Sequence, residues 1–561
     1  MSSDPRDAPL ENRARHRTDV LVVGAGFGGM YAVHQLRSAG FDVRAIEAGS
    51  GVGGTWYWNR YPGARCDVES LEYSYSFDPD LQQEWSWSER YAPQPELLRY
   101  AEHVADRFDL RERIEFDTRV TRAVYDDARG RWTVTTKPVV GRTVGGDDLG
   151  ASAYVYDAQF VVMATGVLSS TNIPDFDGID DFRTAGGSVV HTGRWPADGL
   201  DVSGRRVAVI GTGSSGVQAI PLLAQDADHL TVFQRTPTYA TPAYNAPLDP
   251  DVEAEVKADY AGFRATLSRR ATAFGASYPR PAGNALDHAP DERTRILDDR
   301  WRLGGFALSS AFTDTLLDPE ANEVVAEFVR DKIRSVVTDP ATAALLCPDQ
   351  TFGCKRPCVD TGFYETFNRP DVTLVSVRDN PIERLTDTGI ELADGSSFEF
   401  DTIVFATGYD AMTGSLLRID IRGRDGLPLG DAWAAGPRTM LGLGIPGFPN
   451  LFTVTGPGSP SVLANMITAV EQHVDWISAC LVWLRENDRS TIEADETAAD
   501  RWVDHVNQLV DGTLYPTCNS WYLGANVPGK PRVFMPALGW PRYVDACDAV
   551  AAADYAGFHT A

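Results

Sequence analysis

Cysteine is scarce in this chain, which has 7 cysteines among 561 residues. Cys354 and Cys358 bracket a short loop, but no second Cys or His pair follows at the spacing of zinc ligands, so no metal site is expected. So few cysteines predict no disulfide framework, which points to a reducing, cytoplasmic setting.

Long apolar runs are absent as well. No stretch approaches the roughly 18 apolar residues that a membrane span requires, so no spanning segment is predicted. The first residues also lack the apolar core of a secretion signal. We therefore expect residues 1–18 to form a flexible tail.

Basic residues are outnumbered by acidic ones, 51 to 78, which gives a formal net charge of -27. Charge of this sign repels phosphate backbones and anionic lipids, so neither nucleic acid nor a membrane is an expected partner. Nothing in the composition indicates an obligatory protein partner. Hydrophobic residues make up 43% and charged residues 23% of the chain, which is typical of a globular protein, and the length predicts about two or three domains.

An apolar strand that begins at Asp19, a glycine-rich turn and a helical run form the first recognisable unit. The turn has the pattern G-x-G-x-x-G, with Gly24, Gly26 and Gly29, and the next apolar strand ends at Glu47. Glycines in this context let backbone N–H groups and a helix N-terminus approach a pyrophosphate. Because a carboxylate at the strand end accepts hydrogen bonds from ribose hydroxyls, this unit is predicted to bind the adenosine of FAD.

The same pattern returns after Arg206, but there the strand end carries the opposite charge. The second turn consists of Gly211, Gly213, Ser214, Ser215 and Gly216. The following strand ends at Arg235, at nearly the same distance from the first glycine as Glu47 in the first unit, and Thr236 comes next. Since an arginine suits a 2′-phosphate, this unit is predicted to bind NADPH. A solvated arginine at a strand end is the alternative interpretation of Arg235.

Two apolar strands, 160–166 and 402–408, each end in Ala-Thr-Gly. Small residues there let the backbone approach a cofactor closely, although each one alone is equally a plain strand-to-turn junction. As a pair they lie where the chain is expected to cross between the two units, which favours a hinge. Residues 243–345 show no nucleotide signal, and their apolar residues three and four apart predict a helical insertion.

The sequence therefore predicts an α/β fold with two dinucleotide-binding, Rossmann-like domains of three layers each and a helical insertion in the second domain. The predicted boundaries are 1–18 for the tail, 19–166 and 403–561 for the FAD domain, 167–242 and 346–402 for the NADP domain, and 243–345 for the insertion.

A third motif lies near the second glycine turn and consists of Gly187, His191, Trp195 and Pro196. From its glycine onward it matches F-x-G-x-x-x-H-x-x-x-W-P, the fingerprint of type I Baeyer–Villiger flavin monooxygenases. The chain resembles this family from about Asp19 to Phe558 and is most similar to phenylacetone and steroid monooxygenases. Ala185 replaces the fingerprint's phenylalanine and Phe182 lies nearby, so a loop of different length is expected. His191 is interpreted as a structural or linking residue.

The resemblance implies an NADPH-consuming, FAD-dependent enzyme that converts a small-molecule ketone and O2 to an ester or lactone through a flavin C4a-peroxide. It also implies that Arg356 is catalytic, that Asp67 holds it in place, and that Lys355 joins Arg235 on the 2′-phosphate of NADPH. A guanidinium stays charged at any working pH, so it can stabilise the peroxide anion and the oxyanion of the adduct. A surface arginine before a turn is the alternative interpretation of Arg356.

Three aromatic residues and one loop complete the predicted site. Trp56 and Tyr61 are expected to line the flavin and Trp521 the nicotinamide, although core packing explains these aromatics equally well. The loop on the substrate side predicts an apolar, roomy pocket for a cyclic, aryl or steroid-like ketone. The predicted pocket residues are Val167, Ser461, Val462 and Leu463.

Three other protein classes share two dinucleotide units. Disulfide reductases carry Cys-x4-Cys after the first glycine turn, and this chain has Gly-Gly-Thr-Trp-Tyr-Trp there, so they are excluded. N-hydroxylating or sulfur-oxidising flavin monooxygenases are the alternative, because they use a protonated peroxide for electrophilic attack. An NADPH sensor would keep both glycine turns but has no need for Arg356.

Overall fold

Two sheets organise this computed structural model, which describes residues 15–143, 146–151 and 153–561. The strands of the first sheet are β1 (Arg15–Val23), β2 (Val43–Ile46), β3 (Ile114–Glu115), β4 (Thr118–Asp126), β5 (Arg131–Thr143), β6 (Gly146–Leu149), β7 (Tyr154–Met163), β18 (Asp420–Arg422) and β19 (Leu451–Thr453). Those of the second sheet are β8 (Ser188–His191), β9 (Arg206–Ile210), β10 (His229–Gln234), β13 (Val372–Ser376) and β17 (Thr402–Phe405). The first sheet follows the order β18-β4-β5-β7-β1-β2-β3, with β19 beside β7 and β6 beside β5, and the second follows β13-β10-β9-β17-β8.

Short strands and helices complete the described chain. The remaining strands are β11 (Ala240–Pro242) paired with β12 (Cys358–Asp360), β14 (Ile382–Leu385), β15 (Gly389–Leu392) and β16 (Ser397–Glu399) in one ribbon, and β20 (Ile492–Ala494) paired with β21 (Phe558–Thr560). The helices are α1 (Phe27–Ser38), α2 (Thr55–Trp58), α3 (Pro79–Glu84), α4 (Gln94–Arg107), α5 (Ile179–Thr184), α6 (Ser214–Asp226), α7 (Pro250–Ala258), α8 (Tyr260–Ser268), α9 (Pro290–Leu303), α10 (Pro319–Val336), α11 (Pro340–Leu346), α12 (Phe363–Thr366), α13 (Gly414–Leu417), α14 (Leu429–Ala432), α15 (Met466–Glu486), α16 (Glu496–Asp511) and α17 (Trp540–Ala552).

Parallel pairing at the centre of each sheet explains why the central strands are apolar throughout. β1 pairs in parallel with β2 and β7, and β9 pairs in parallel with β10 and β17. Side chains on both faces of these strands are buried, as residues 20–22 and 207–209 show with no exposed surface. The prediction of an α/β fold with two dinucleotide-binding units is therefore confirmed.

Two predicted boundaries need correction. β1 begins at Arg15 because β7 is long enough to pair with residues 15–18, so these four residues belong to the sheet and not to the predicted tail. Residues 1–14 of that tail lie outside the described residues. The predicted boundary between 402 and 403 falls inside β17, which pairs with β8 and β9 in the second sheet, so the chain leaves this sheet only after Phe405.

The region 243–345 is helical, as predicted, and α7 to α11 follow one another there. α10 buries Val325, Val329 and Ile333 in the same hydrophobic core as the second sheet, whereas Tyr260 of α8 packs in the core of the first. The insertion therefore packs against both nucleotide-binding units.

One disulfide, between Cys354 and Cys518, corrects the expectation drawn from the cysteine count. The two residues are 164 positions apart in the chain, with their Cα atoms 6.2 Å apart, and only the tertiary fold brings their loops together. Described His, Cys, Asp and Glu side chains form no cluster of three or more that suits a metal ion. Within the described part of the chain, no helix combines the length and the apolar sequence that a bilayer crossing requires.

Candidate active site and cofactor cavity

A cavity of about 1480 Å³ extends from the first glycine turn to the second. Both turns follow the carboxyl ends of parallel strands, which is where ligands bind in sheets of this kind. The predicted residues that line the cavity are Gly24, Gly26, Glu47, Trp56, Tyr61, Asp67, Val167, Gly211, Gly213, Ser214, Ser215, Arg235, Thr236, Lys355, Arg356, Val462 and Trp521. The cavity thus brings together most of the predicted cofactor-binding and catalytic residues.

The two glycine turns have the same construction. Gly24 and Gly211 have φ of +106° and +112°, and a Cβ on either one would lie 2.5 Å from a carbonyl oxygen, of Ala164 and Ala406 respectively. Ala164 and Ala406 are the first residues of the two Ala-Thr-Gly segments. Each segment therefore packs directly against a glycine turn, and each also lines the cavity.

The last glycine of each motif has a packing role and does not line the cavity. A Cβ on Gly29 would lie 1.8 Å from the carbonyl oxygen of Gly24, and one on Gly216 would lie 2.3 Å from that of Gly211. These glycines let the first turn of α1 and α6 pack on the preceding loop. Gly29 and Gly216 therefore act on the cofactor site only through the shape of the turn.

Glu47, directly after β2, is buried at the wall of the cavity. The N–H groups of Ala25 and Gly49 donate to its carboxylate at 2.7 and 2.6 Å. Burial raises the pKa of Glu47, and these two hydrogen bonds oppose that rise. The side chain is therefore held in one orientation by the backbone of the glycine turn.

Arg235 and Lys355 lie near each other at the carboxyl-terminal edge of the second sheet. Arg235 is exposed at the cavity, and among the described residues no carboxylate pairs with it. Burial lowers the pKa of Lys355, and the charges of Arg235 and Arg378 lower it further while Asp349 opposes them. Because Arg235 and Lys355 line the cavity, their concentrated positive charge suits an anionic ligand such as a phosphate.

Arg378 belongs to this cluster and was missed by the sequence analysis. It lies just after β13, which pairs in parallel with β10, so both strands end at the same edge. Its guanidinium pairs with Asp349 at 2.7 and 3.2 Å. Its position near Arg235 depends on the pairing of β13 with β10, which residue types and spacing do not specify.

The Arg356 guanidinium forms a two-point ion pair with Asp67. Nε and Nη2 of Arg356 donate to the two carboxylate oxygens at 2.8 and 3.0 Å, and Nη1 donates to the carbonyl oxygen of Val462 at 2.8 Å. The rings of Phe306 and Phe274 lie 4.4 and 5.9 Å from the guanidinium carbon. Burial acts to lower the pKa of Arg356, but the charge and hydrogen bonds of Asp67 raise it above its usual value. Arg356 is therefore a permanently charged group in fixed orientation at the cavity wall.

The three predicted aromatic residues line the cavity, but Tyr61 also has a second role. Its hydroxyl donates to Oε1 of Gln218 on α6 at 2.8 Å, and Gln218 in turn donates to the carbonyl oxygen of Arg65 at 3.1 Å. This pairing connects the segment after the first glycine turn to the helix of the second. Gln218 was not among the predicted residues, since nothing local in the sequence distinguishes it from other helical glutamines.

The predicted substrate-side residues divide into two pairs. Val167 and Val462 line the cavity, and so does Ala464, which was not predicted. Ser461 is fully buried outside it, at φ +47°, with its hydroxyl 3.7 Å from Sδ of Met412. Leu463 does not line the cavity and packs against a hydrophobic cluster that also contains Val167 and Val462. Ser461 and Leu463 therefore lie outside the cavity that they were predicted to line, because residues 461–463 form one turn of 3-10 helix, in which successive side chains point in different directions.

The fingerprint residues lie behind the cavity wall. His191 is fully buried, and its Nδ1 accepts a hydrogen bond from the N–H of Gly193 at 2.9 Å. Burial lowers the pKa of His191 to about 4, so the ring is neutral near neutral pH. Trp195 is buried in the core of the second sheet, and Pro196 borders a small groove elsewhere. These positions agree with a structural interpretation of His191.

Phe182 compensates for the altered start of the fingerprint. A Cβ on Gly187 would lie 2.3 Å from the Phe182 ring, so the ring covers the glycine directly. Phe182 is fully buried at this point, although Ala185 occupies the position where the fingerprint has its phenylalanine. The helix α5 therefore supplies an aromatic contact from a different position in the sequence.

The fingerprint packs on the crossing between the two units. A Cβ on Gly193 would lie 2.7 Å from the ring of Tyr409, whose hydroxyl donates to Asn59 of the first unit. The N–H of Asn172 donates to the carbonyl oxygen of Gly408 at 2.9 Å, so the two chain crossings are hydrogen-bonded to each other. The fingerprint is therefore in contact with the predicted hinge.

Known proteins match this chain over nearly its whole length. Residues 18–271 match the family model of pyridine nucleotide-disulphide oxidoreductases. Acetone monooxygenase (methyl acetate-forming) from Gordonia sp. (strain TY-5) is 44% identical over 544 residues, which cover 96% of this chain and 98% of that protein. A solved structure of oxidised steroid monooxygenase bound to NADP is 51% identical, with a TM-score of 0.88 over 97% of this chain and 99% of that one. A closed crystal structure of cyclohexanone monooxygenase is 42% identical, with a TM-score of 0.91 over 98% and 100% of the two chains.

Proposed function

The chain belongs to the type I Baeyer–Villiger monooxygenases, and from this membership we propose how its residues act and which ketones it takes. It is an FAD- and NADPH-dependent enzyme that converts a ketone and O2 to an ester or lactone. The predicted resemblance to this family is confirmed, and so is the predicted similarity to steroid monooxygenases. The acetone, steroid and cyclohexanone monooxygenases support oxygenation of a ketone, whereas a phenazine N-monooxygenase from Lysobacter antibioticus, 39% identical over 553 residues, is the reason to include amines in the test below. The observation that carries the proposal is the Arg356–Asp67 pair in a cavity that both glycine turns share.

Both cofactors fit the residues present. We assign the FAD adenosine to the first turn, where Glu47 is held with its carboxylate at the cavity wall for ribose hydroxyls. We assign the 2′-phosphate of NADPH to Arg235, Thr236 and Lys355, because neither Arg235 nor Lys355 forms an ion pair with a described carboxylate and both side chains line the cavity. When bound, NADPH supplies a hydride, and reduced FAD supplies the electrons that activate O2. Opposite charges at the two strand ends keep each nucleotide in its own half of the cavity.

Arg356 acts as a fixed positive charge beside the reacting oxygen atoms. Asp67 and the carbonyl oxygen of Val462 hold three of its N–H groups, so the guanidinium needs no reorganisation when negative charge develops on the ketone oxygen. Because its pKa is raised, Arg356 does not give up a proton at any working pH. The group therefore stabilises an anion without neutralising it, as nucleophilic attack on a ketone requires.

The substrate is proposed to be an apolar ketone, of cyclic, aryl or steroid-like type. Val167, Val462 and Ala464 line the cavity with apolar side chains, and the carbonyl oxygen of Val462 accepts a hydrogen bond from Arg356. Arg356, the cation that contacts Val462, already pairs with the carboxylate of Asp67. A charged ketone would therefore lose its hydration there without gaining a counter-ion.

Oxygen incorporation tests this function directly. Purified enzyme with NADPH, 18O2 and a panel of cyclic, aryl and steroidal ketones should give an ester or lactone that carries one labelled oxygen atom. Amines and sulfides, assayed in parallel, test the N-hydroxylating and sulfur-oxidising alternative. Hydroxylamines or sulfoxides as the only oxygenated products would contradict the proposal, and ketone-independent NADPH consumption alone would contradict it as well.

A further inference from the structure

A buried glutamate of the first unit holds a loop of the helical insertion. Glu72 is 2% exposed, and its two carboxylate oxygens each accept one backbone N–H group, from Gly275 and from Ala276, both at 2.8 Å. These two residues belong to a segment between α8 and α9, residues 271–278, which we call the insertion loop. Among the described residues, Glu72 is the only acceptor for these two N–H groups. The carboxylate therefore fastens the middle of the insertion loop to the first unit.

The insertion loop carries one of the two rings beside Arg356 and supports the other. The ring of Phe274 lies 5.9 Å from the guanidinium carbon. The hydroxyl of Tyr278, at the end of the loop, accepts the N–H of Phe306 at 3.2 Å, and the Phe306 ring lies 4.4 Å from the same guanidinium carbon. The two rings are 5.5 Å apart. Glu72 is therefore connected to the proposed catalytic cation through one loop and two rings.

Other contacts hold the two ends of the insertion loop. The carbonyl oxygens at positions 271 and 272 accept hydrogen bonds from the N–H groups of Trp540 and Asn465, and those at positions 276 and 278 accept from the guanidinium of Arg270. Loss of the Glu72 carboxylate therefore leaves the loop folded. It loosens only the middle of the loop, where Phe274 lies.

We propose that Glu72 is a positioning residue for Arg356, acting through the insertion loop and the rings of Phe274 and Phe306. Asp67 holds the N–H groups at the edge of the guanidinium, whereas the two rings keep water away from its surface. Excluding water lowers the local dielectric constant, so the positive charge stabilises negative charge on the ketone oxygen more strongly. This inference rests on the proposed role of Arg356 in ketone oxygenation.

Titration of Glu72 makes this positioning depend on pH. Burial and the charge of Glu69 raise the pKa of Glu72 to about 7, whereas the two loop N–H groups and Arg264 oppose that rise. The insertion loop also brings Arg270 and the phenol of Tyr278 to this side. Because the pKa is raised, the carboxylate forms only above it, and the protonated acid holds the two N–H groups less strongly. The share of O2 that reaches the ketone should therefore rise with pH across about pH 6–8.

Glu72→Gln is the main variant, because it keeps the shape of the side chain but places an amide N–H group against one loop N–H group. With holoenzyme and a ketone that the wild type converts, ester formed and hydrogen peroxide released per NADPH are measured as a function of pH. Hydrogen exchange of the peptide that contains residues 271–278 is followed by mass spectrometry. Glu471→Gln is the matched control, because Glu471 is also buried and accepts the N–H groups of Ser76 and Phe77, which do not line the cavity.

Glu72→Gln should lower the ratio of ester to peroxide roughly three- to tenfold above the pKa of Glu72, and it should abolish the rise with pH. Hydrogen exchange in the insertion loop should become faster. Phe274→Leu should show the same uncoupling and the same flat profile, and adding Glu72→Gln to it should change the ratio much less than in the wild type. Glu471→Gln should lower the melting temperature but keep the wild-type ratio and its pH profile.

Parallel pH profiles in the wild type and Glu72→Gln would overturn the proposal, and so would equal uncoupling by Glu471→Gln. An undiminished effect of Glu72→Gln in the Phe274→Leu background would also contradict it. If Glu72→Gln does not fold, Phe274→Leu decides, because a rise with pH equal to that of the wild type excludes a path through the ring. Failure of the proposed function is distinguishable, since the wild type would then give no ester at any pH.

Discussion

Arg356→Ala separates the two halves of the catalytic cycle. The substitution removes the cation that faces the cavity, together with its two hydrogen bonds to Asp67 and the one to Val462. The glycine turns, Glu47 and Arg235 are untouched, so FAD binding and reduction of the flavin by NADPH should persist. Oxygenation should fail, because negative charge on the reacting oxygen atoms then has no counter-charge. O2 reduction should end in released hydrogen peroxide.

The size of the loss follows from the geometry. A preorganised electrostatic stabiliser of this kind contributes about 3–4 kcal/mol to the transition state, so ester formation should fall at least a hundredfold. Arg356→Lys should recover little of this, because a point charge on a flexible stem does not reproduce the two-point contact with Asp67. Asp67→Ala should show a milder form of the same uncoupling, since the charge remains and only its orientation is lost.

The orphaned carboxylate is a separate effect that the design must control. Without Arg356, Asp67 keeps a partly buried charge that lacks its partner, which lowers the free energy of unfolding. Combining Arg356→Ala with Asp67→Asn removes that charge, so the double variant should regain thermal stability but not ester formation.

Stopped-flow absorbance follows flavin reduction, and product mass with a peroxide assay follows the fate of O2. If Arg356→Ala converts a good ketone at near the wild-type rate, the assignment is wrong and the catalytic cation lies elsewhere.

Three further substitutions test the cofactor site and the fingerprint. Arg235→Ala should raise the KM for NADPH roughly ten- to a hundredfold in steady-state assays, because a charge-assisted contact contributes about 1.5–3 kcal/mol. The KM for NADH should not change. An equal rise in both KM values would show that Arg235 does not contact the phosphate. Since the pKa of Lys355 is lowered, its charge is lost as pH rises through that pKa, so KM for NADPH should rise with pH in the wild type but much less in Lys355→Met. Gly187→Ala should cost about 1–3 kcal/mol in thermal unfolding, because its Cβ meets the Phe182 ring, whereas Gly430→Ala, which faces open space, should change little; equal melting temperatures would refute the contact.

Local backbone requirements were readable from the sequence. Gly24 and Gly211 stand where φ is positive and where carbonyl oxygens approach within 2.5 Å of a Cβ position, so the chain must have glycine there. The strand-end charges at Glu47 and Arg235 were readable for the same reason, because a strand fixes where its last residue lies relative to the turn before it. These features recur at a fixed spacing and therefore show in a linear chain.

Side-chain direction in turns was not readable. Ser461, Val462 and Leu463 are consecutive apolar or small residues, and no periodicity indicates which of them faces the cavity. The boundary inside β17 was missed for a related reason, because Thr402 to Phe405 is an apolar strand that suits either sheet, and only its pairing with β8 and β9 decides the matter.

Contacts between distant segments came from the tertiary structure alone. Asp67 and Arg356 are 289 residues apart, and Cys354 and Cys518 are 164 apart. The family resemblance suggested the first pair, but residue types and spacing did not specify either, and the cysteine count argued against the second. A chain of amino acids determines its turns and strands through interactions over a few residues, whereas which loops meet depends on how two sheets, an insertion and a C-terminal segment pack together.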